Sequence, residues 1–536
     1  MDGSGLVEEG AARVDARLVP AAVTCWVVTA AGIWWPIGRV VAACCVALAA
    51  ASGALAWYAA HGRRGATGPL RAVGTGLAAA GVIGAGFGFA VALRAEAVDR
   101  HPITAAFGTA APVTVTPTES PVSLSRGRLM FRATLQRLRD APISGRVVVF
   151  ARASDFESEA DGLMVGRPVR FTARIGRPTR RDLTVAVLNA SGRPALGTAG
   201  AVQRAAHTVR GRFAAAVRGA LPAELAAMLP ALVLGDTSAV TADTDRDFRA
   251  AGMTHLMAVS GANVTIVCAA VLFSARLIGP RAAVVLAGLT LVAFVVLVQP
   301  TASVLRAAVM GAIALAGMLF SRRRQAIPAL SATVLVLLAM APQLAVDVGF
   351  ALSVVATAAL VVIAPVWSRR LVSRGCPGPL ADALAIAAAA HVVTAPLVAG
   401  ISGRVSLVAV GANLAAAPAI APITVLGSAA AVLSVPWPAG AQLLIRFTGP
   451  ELWWVVRVAH WSAGAPAATV PVPAGVPGVL LVAGATALIV VAVTRLRGRR
   501  RSGAAARVAA LTAVLCALAW WLSTALDPQS GVVGPP

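Results

Sequence analysis

The sequence predicts an α-helical polytopic membrane protein with roughly 10–13 spans, carrying a small extracellular β-barrel inserted after the third span. Three observations predict it. First, the 536 residues are 58% hydrophobic, the mean hydropathy is +0.80, and long apolar runs recur, such as Ala282–Val298, Ala351–Trp367 and Val476–Val493. Such runs can cross a hydrocarbon core of about 30 Å. Second, the one long polar stretch, 100–200, alternates apolar and polar residues with the period of a half-buried strand. Third, short arginine-rich loops at 61–71, 321–324, 368–374 and 495–501 mark cytoplasmic returns of the chain.

Residues 1–99 read as N-terminal transmembrane helices, with runs near Leu18–Trp35, Val40–Ala60 and Ala72–Leu93. The leading segment MDGSGLVEEGAARVDAR is polar and mixed in charge, unlike a signal peptide, so the first run is expected to stay as an anchor. Holding Arg63, Arg64 and Arg71 inside sends the third span outward and puts 100–200 outside. There Leu129, Phe131, Ala133 and Leu135 alternate with Arg128, Arg132 and Gln136, and Val169, Phe171, Ala173 and Ile175 alternate with Arg170 and Arg174. Short strands separated by Gly-Arg-Pro and Ser-Gly turns predict a small barrel.

From Arg100 to Arg193 there are fifteen arginines against seven acidic residues, an electropositive surface that suits a polyanion or an anionic lipid face. The candidate phosphate contacts are Arg128, Arg132, Arg170, Arg174, Arg180 and Arg181. Phe131, Phe150 and Phe171 could stack bases, but their alternation with polar neighbours favours core positions.

Residues 201–500 form the main transmembrane domain. Ala201–Leu232 reads as one or two amphipathic helices, and Ser406–Val435, with Asn413, Pro418 and Pro422, as a discontinuous helix of the kind that borders cavities. Residues 501–536 hold a last span near Val508–Ala525 and a tail.

Polar groups within or beside the apolar runs are the candidate functional residues: Asp236, His255, Ser260, Gly261, Asn263, Arg306, Asp347, Ser353, His391 and Asn413. A charge at mid-bilayer costs about 2.5–3.5 kcal/mol on insertion scales. Such residues either cap helices or line a wet path. Asp236, Arg306 and Asp347 are expected to offset one another, while His255, Ser260 and Asn263 line the path near hinges at Gly252 and Gly261. A catalytic serine is the competing reading of Ala258–Gly261, with His255 or His391 as base. On one helix, however, His255 and Ser260 would stand about 140° apart.

Six histidines lie scattered and the cysteines show no metal-ligand spacing, so neither metal nor cofactor is expected. The chain has no lysine. A Walker A loop is therefore impossible, and any ATP-driven work must come from a partner.

These motifs, taken in order, resemble the ComEC-type competence family of inner-membrane DNA-uptake channels. Ala231-Leu-Val-Leu-Gly-Asp236 is similar to its LGD element, and Phe248–Val264 to its signature "aGlsHLlAVSGlhv". Pro300–Ala307 ends in the family's Arg-Ala, Asp347–Ser353 with Ala356-Thr357 resembles "DpGFqLSflAT", and Ala395-Pro396-Leu397 and Asn413–Pro418 match later elements. The likeness covers about Ala201–Pro438, and the β island fits the OB-like domain that precedes the channel in this family. Ala262-Asn263 replaces the family's Leu-His, so no role resting on that histidine is carried over. The C-terminal metallo-β-lactamase-like nuclease domain of longer members has no counterpart here.

The resemblance implies a channel, not an enzyme, in the bacterial cytoplasmic membrane, moving single-stranded DNA inward during transformation. It further implies an extracellular DNA receptor; inward transport against the membrane potential without an ATP site requires a cytoplasmic motor or single-strand-binding protein, a separate nuclease is compatible with the reading, and membrane lipid surrounds the helices. A secondary transporter of a small solute and an intramembrane serine hydrolase are the alternatives.

Overall fold

The computed structural model describes residues 17–35, 37–61, 68–124, 127–156, 163–299, 302–319 and 326–496. The expected last span, the tail and the basic loops 321–324 and 497–501 lie outside them. The chain is 68% helical and carries one closed five-stranded barrel.

Helices α1 (Val19–Trp34), α2 (Gly38–His61) and α3 (Gly68–Asp99) come first. Small residues let α2 and α3 meet backbone to backbone. A Cβ on Gly81 would stand 2.8 Å from the Cys45 carbonyl oxygen, and one on Gly84 would stand 2.8 Å from the Cys45 sulfur. Close approach of this kind replaces the hydrophobic drive that is missing between helices in lipid. Five helices are long and apolar enough to cross a membrane: Val73–Ala106, Pro280–Val298, Val348–Val372, Gly378–Ser402 and Ala409–Leu433. Their most apolar windows are only 28–39% buried, so each turns most of its greasy surface outward, as a lipid-facing helix does. Shorter apolar helices stand beside them, Val19–Trp34, Gly261–Ala275 and Ala326–Met340 among them.

The barrel follows α3. Its strands are β1 (Ala110–Pro117), β3 (Arg128–Leu138), β4 (Ala141–Arg152), β5 (Val169–Gly176) and β6 (Ala186–Leu196), with β2 (Val122–Leu124) an edge strand on β3. The sheet runs β1-β5-β6-β4-β3 and closes through a β1–β3 pairing. All of these pairs are antiparallel except β4–β6. The expected alternation holds: Val169, Phe171, Ala173 and Ile175 point in while Arg170, Thr172 and Arg174 point out. Phe131 and Phe171 fill the core with Phe156 and Ile175, which settles both as packing residues. Phe150 is the exception and sits outside that core, under the Arg128 guanidinium.

The barrel also carries the short α4 (Ala153–Phe156) after β4, and beyond it come α5 (Ala201–Ala220), α6 (Ala223–Leu234), α7 (Ala242–Ala250), α8 (Thr254–Met257) and α9 (Gly261–Ala275). Next are α10 (Pro280–Val298), α11 (Ala302–Leu319), α12 (Ala326–Met340) and α13 (Val348–Val362), then α14 (Ala364–Val372), α15 (Gly378–Ser402) and α16 (Ala409–Leu433). The described chain ends with α17 (Pro438–Phe447), α18 (Gly449–Ala463) and α19 (Val476–Leu496). A two-stranded ribbon, β7 (Arg404–Ser406) with β8 (Thr469–Pro471), ties the late segments together.

Two expectations change here. Ala201–Leu232 is two helices broken before Pro222; only α5 is amphipathic, because α6 is buried all round from Ala226 to Leu234. The stretch 406–435 is not discontinuous either. Helix α16 runs unbroken through Pro418 and Pro422, and the Trp454 indole donates to the Ala415 carbonyl three residues before Pro418. Neighbouring donors of this kind let a helix tolerate proline.

Phe131→Ala should remove about 3–5 kcal/mol from the barrel. Hydrogen exchange on the full chain should then show faster exchange across β3 and β4, with α9–α11 unchanged.

Candidate translocation path and nucleic-acid interface

Helix α6 ends on Gly235, whose φ of 69° supplies the left-handed cap. Asp236 follows, and its Oδ1 accepts from the Ser238 backbone N–H at 3.2 Å and from the Ser238 hydroxyl at 2.6 Å. Its Oδ2 lies 3.5 Å from Arg210 Nη2. Arg210, on α5, also donates to the Leu234 carbonyl at 3.3 Å and the Leu297 carbonyl at 3.1 Å. One guanidinium thus satisfies the open carbonyl ends of α6 and α10, where a cation also suits the helix dipole. Burial pushes its pKa down and the Asp236 carboxylate opposes that. The sequence reading gave Arg210 no role beyond an amphipathic face; nothing local distinguishes it from its neighbours Arg204, Arg212 and Arg218.

The 248–264 stretch makes a tight junction. Gly252 has φ 67°, and a Cβ there would stand 2.5 Å from Ala409 Cβ on α16. No other residue fits that approach without displacing backbone. The Gly252 carbonyl accepts from Asn413 Nδ2 at 3.3 Å, and the Ser406 hydroxyl donates to the Ala250 carbonyl at 2.7 Å. Asn413 is therefore a clamp between α16 and the α7–α8 corner. Asn263 is a clamp too: it is 5% exposed, it donates to the Leu232 carbonyl at 2.9 Å, and it accepts from the Ser260 hydroxyl at 3.4 Å. Expected as lining, it is sealed between α6 and α9, because its amide completes backbone groups that apolar neighbours cannot.

His255 behaves differently. Its ring keeps solvent-accessible surface while protein crowds round it. Burial pushes its pKa below the ordinary value, opposed by a hydrogen bond with the Gly252 backbone. Ser260 and Gly261 are half-buried beside it, and the Ser260 hydroxyl is held by Asn263, with no histidine bonded to it among the described residues.

The expected triad of Asp236, Arg306 and Asp347 does not form. Each charge has its own partners, because they sit on different helices whose packing keeps them apart. Arg306 is 6% exposed, and its Nη1 donates to the Ser353 carbonyl at 2.6 Å and to the Thr357 hydroxyl. Ser353 in turn contacts the Ser303 hydroxyl at 3.3 Å. These bonds tie α11 to α13. Asp347 caps α13, accepting from the Phe350 N–H at 2.8 Å, and its other oxygen lies 3.9 Å from Arg132 Nη1 on the barrel. His391 is half-buried within α15, away from these ties.

Arg132, expected as a phosphate contact, instead helps mount the barrel on α13. It also pairs with Glu119 at 3.1 Å; burial would lower its pKa, but the Glu119 and Asp347 carboxylates outweigh that and raise it. Two more ties hold the barrel to the helices. The Ser120 hydroxyl donates to Gln299 at 2.6 Å, just past α10, and Arg181 donates to the Trp34 carbonyl at 2.5 Å, at the end of α1. Arg181 is thus partly committed to mounting as well. Arg128, Arg170, Arg174 and Arg180 remain exposed. Arg128 stacks on Phe150 with its Cζ 5.2 Å from the ring centroid, at the edge of an open groove of about 680 Å³ that Arg152 and Asn189 also line.

The architecture defines a class: a helical domain of membrane-length apolar helices, braced by buried arginines, with a basic closed barrel fastened to one end. Against the known families, the model described as "Competence protein" matches residues 232–498, from the α6 carbonyl that Asn263 holds to the end of α19. The chain belongs to the ComEC-type competence family. No curated protein and no solved structure matches it. Membership gives the chain a role in DNA uptake during competence, and with the long apolar helices it marks a membrane protein.

Two outcomes test this geometry. Asp347→Ala should cost about 1 kcal/mol through the lost cap alone and speed hydrogen exchange in the first turn of α13 and in the Glu119 loop, leaving β5 unaffected. For His255, the native state binds fewer protons than the unfolded chain below the ordinary histidine value of about 6.5. Stability should therefore fall as pH drops through and below that value, and His255→Gln should flatten the dependence in a thermal-unfolding series.

Proposed function

We propose that this chain is a channel that conducts single-stranded DNA across the bacterial cytoplasmic membrane, with the barrel on the outer face receiving the strand. The observation that carries the reading is the barrel itself, mounted by charged ties at the helix ends while its remaining arginines face outward. Numbered one to five along the chain, its strands run 1-2-3-5-4-1 with a single parallel pair, the order of an oligonucleotide-binding barrel. Exposed Arg170 and Arg174 on β5, and Arg128 beside Phe150, offer phosphate contacts next to an aromatic face, the combination that single strands use.

The direction has independent support. The span Val348–Val372 begins at Asp347, against the barrel, and ends with Arg369 and Arg370, Arg374 following. Arginine-rich helix ends stay cytoplasmic, which leaves the barrel outside. Exposed His255, with half-buried Ser260 and Gly261 a few residues on, would line the start of a polar way through the helices.

Each phosphate carried inward opposes a negative interior by about 2.3 kcal/mol per 100 mV. The chain acts as a conduit and not an enzyme, so a cytoplasmic motor or a single-strand-binding protein pulls, a receptor delivers DNA outside, and a separate nuclease removes the second strand.

A strain lacking the gene should lose transformation and regain it with the wild-type chain. The purified double variant Arg170→Glu, Arg174→Glu should bind an oligothymidine more weakly, with the slope of log K against log salt reduced by about 1.4. Unchanged affinity and slope would remove the barrel as the receiving surface, and retained transformation in the deletion strain with lost uptake of a small solute would favour a solute carrier.

A further inference from the structure

We propose that Arg306 and the N-terminus of α9 form a phosphate-binding step inside the helical domain, occupied by one phosphodiester of a passing strand at a time. The choice of strand as source rests on the channel reading; the anion site itself does not.

Two of the arginines that brace the helices have a carboxylate at ion-pair distance. Arg210 has Asp236 at 3.5 Å and Arg132 has Glu119 at 3.1 Å. Arg306 is 94% buried, the complement of its 6% exposure, yet no carboxylate lies within ion-pair distance of it among the described residues. Its two hydrogen bonds, both from Nη1, go to the neutral oxygens of Ser353 and Thr357. They fix the guanidinium plane and leave the charge intact. Nε is buried with no hydrogen-bond partner among the described residues.

With Nη1 committed, the free edge of the group is Nε–H and Nη2–H, the parallel pair of donors that accepts a phosphate bidentately. That edge faces a helix start. Arg306 Nη2 is 3.5 Å from where a Cβ on Gly261 would be, and Gly261 opens the fifteen-residue α9. The Ser260 cap position gives no side-chain bond to the first turn, because its hydroxyl turns to Asn263. The Gly261 and Ala262 N–H groups have no partner among the described residues. An uncapped helix N-terminus is positive, so it repels the Arg306 cation. Two positive features placed together among apolar helices are stabilised by an anion between them. The missing side chain at Gly261 leaves room for its oxygen.

A lone arginine with a helix start grips a phosphate and releases it, as conduction requires. It makes a stepping site, not a store.

The test uses the full chain in lipid nanodiscs. Inorganic phosphate, titrated against chloride at constant ionic strength, should raise the wild-type Tm by roughly 1 °C at tenfold excess over Kd. The rise should be absent in Arg306→Gln. In cells Arg306→Gln should lower transformation at least about tenfold, one factor of ten in the underlying equilibrium, while the purified variant binds oligothymidine at the barrel as the wild type does. Arg306→Lys, which keeps the charge but loses the planar fork, should recover part of the loss; equal loss in both variants would reduce Arg306 to a structural tie.

No effect of phosphate on the wild type, an equal effect on Arg306→Gln, or wild-type transformation by that variant would overturn the site. Donor DNA with a stretch of neutral methylphosphonate linkages separates the sources: loss of Arg306 dependence over that stretch supports the strand, and undiminished dependence refutes it in favour of lipid or free phosphate. Normal transformation without the chain would sink the channel reading, and the phosphate titration would still decide the anion site.

Discussion

A guanidinium buried among apolar helices must find oxygens, and much of this architecture follows from where it finds them. Arg210 draws the carbonyl ends of α6 and α10 and the Asp236 carboxylate to one point on α5. Arg306 joins α11 to α13 through a carbonyl and a hydroxyl. Arg132 pairs with Glu119 on the barrel's own β1–β2 loop and reaches out to the cap of α13. A planar fork can serve several acceptors at once, which a lysine ammonium does less well, and this chain contains no lysine.

The same constraint places the barrel. Its core is mostly its own, with Phe131, Phe156, Phe171 and Ile175 in one cluster against which Val98 of α3 also packs. Its position does not come from that core. It comes from polar ties at helix ends, the Asp347 cap, Gln299 past α10 and the last carbonyls of α1. These ends are where unsatisfied backbone groups and dipole charge are available. The arginines left over face solvent and form the basic exterior.

Polar side chains in the 230–264 and 406–413 segments divide by task. Asn263, Asn413 and Ser406 complete backbone groups and hold α6, the α7–α8 corner and α16 in register. Gly252 permits the contact that brings the corner onto α16. His255 has no such clamp partner on another helix among the described residues and keeps its wet surface. Clamps and lining are interleaved within a few residues, and residue type alone does not separate them.

What the sequence by itself determined is the periodic part: the strands of the barrel, the inward Phe171 and outward Arg170 and Arg174, five membrane-length helices among the described residues where roughly 10–13 spans were expected, and the family motifs from Asp236 to Asn413. Period and length are local quantities, fixed by backbone geometry and the thickness of a bilayer. Only the tertiary structure decided which charge meets which. Asp236, Arg306 and Asp347 look like one network in a linear chain, yet they take partners from α5, α13 and the barrel. Phe150 differs from Phe131 and Phe171 only in which face of the sheet it occupies. Pairing depends on which helix ends and strand faces come within about 4 Å, and the chain carries that information only in the packing of all its elements together.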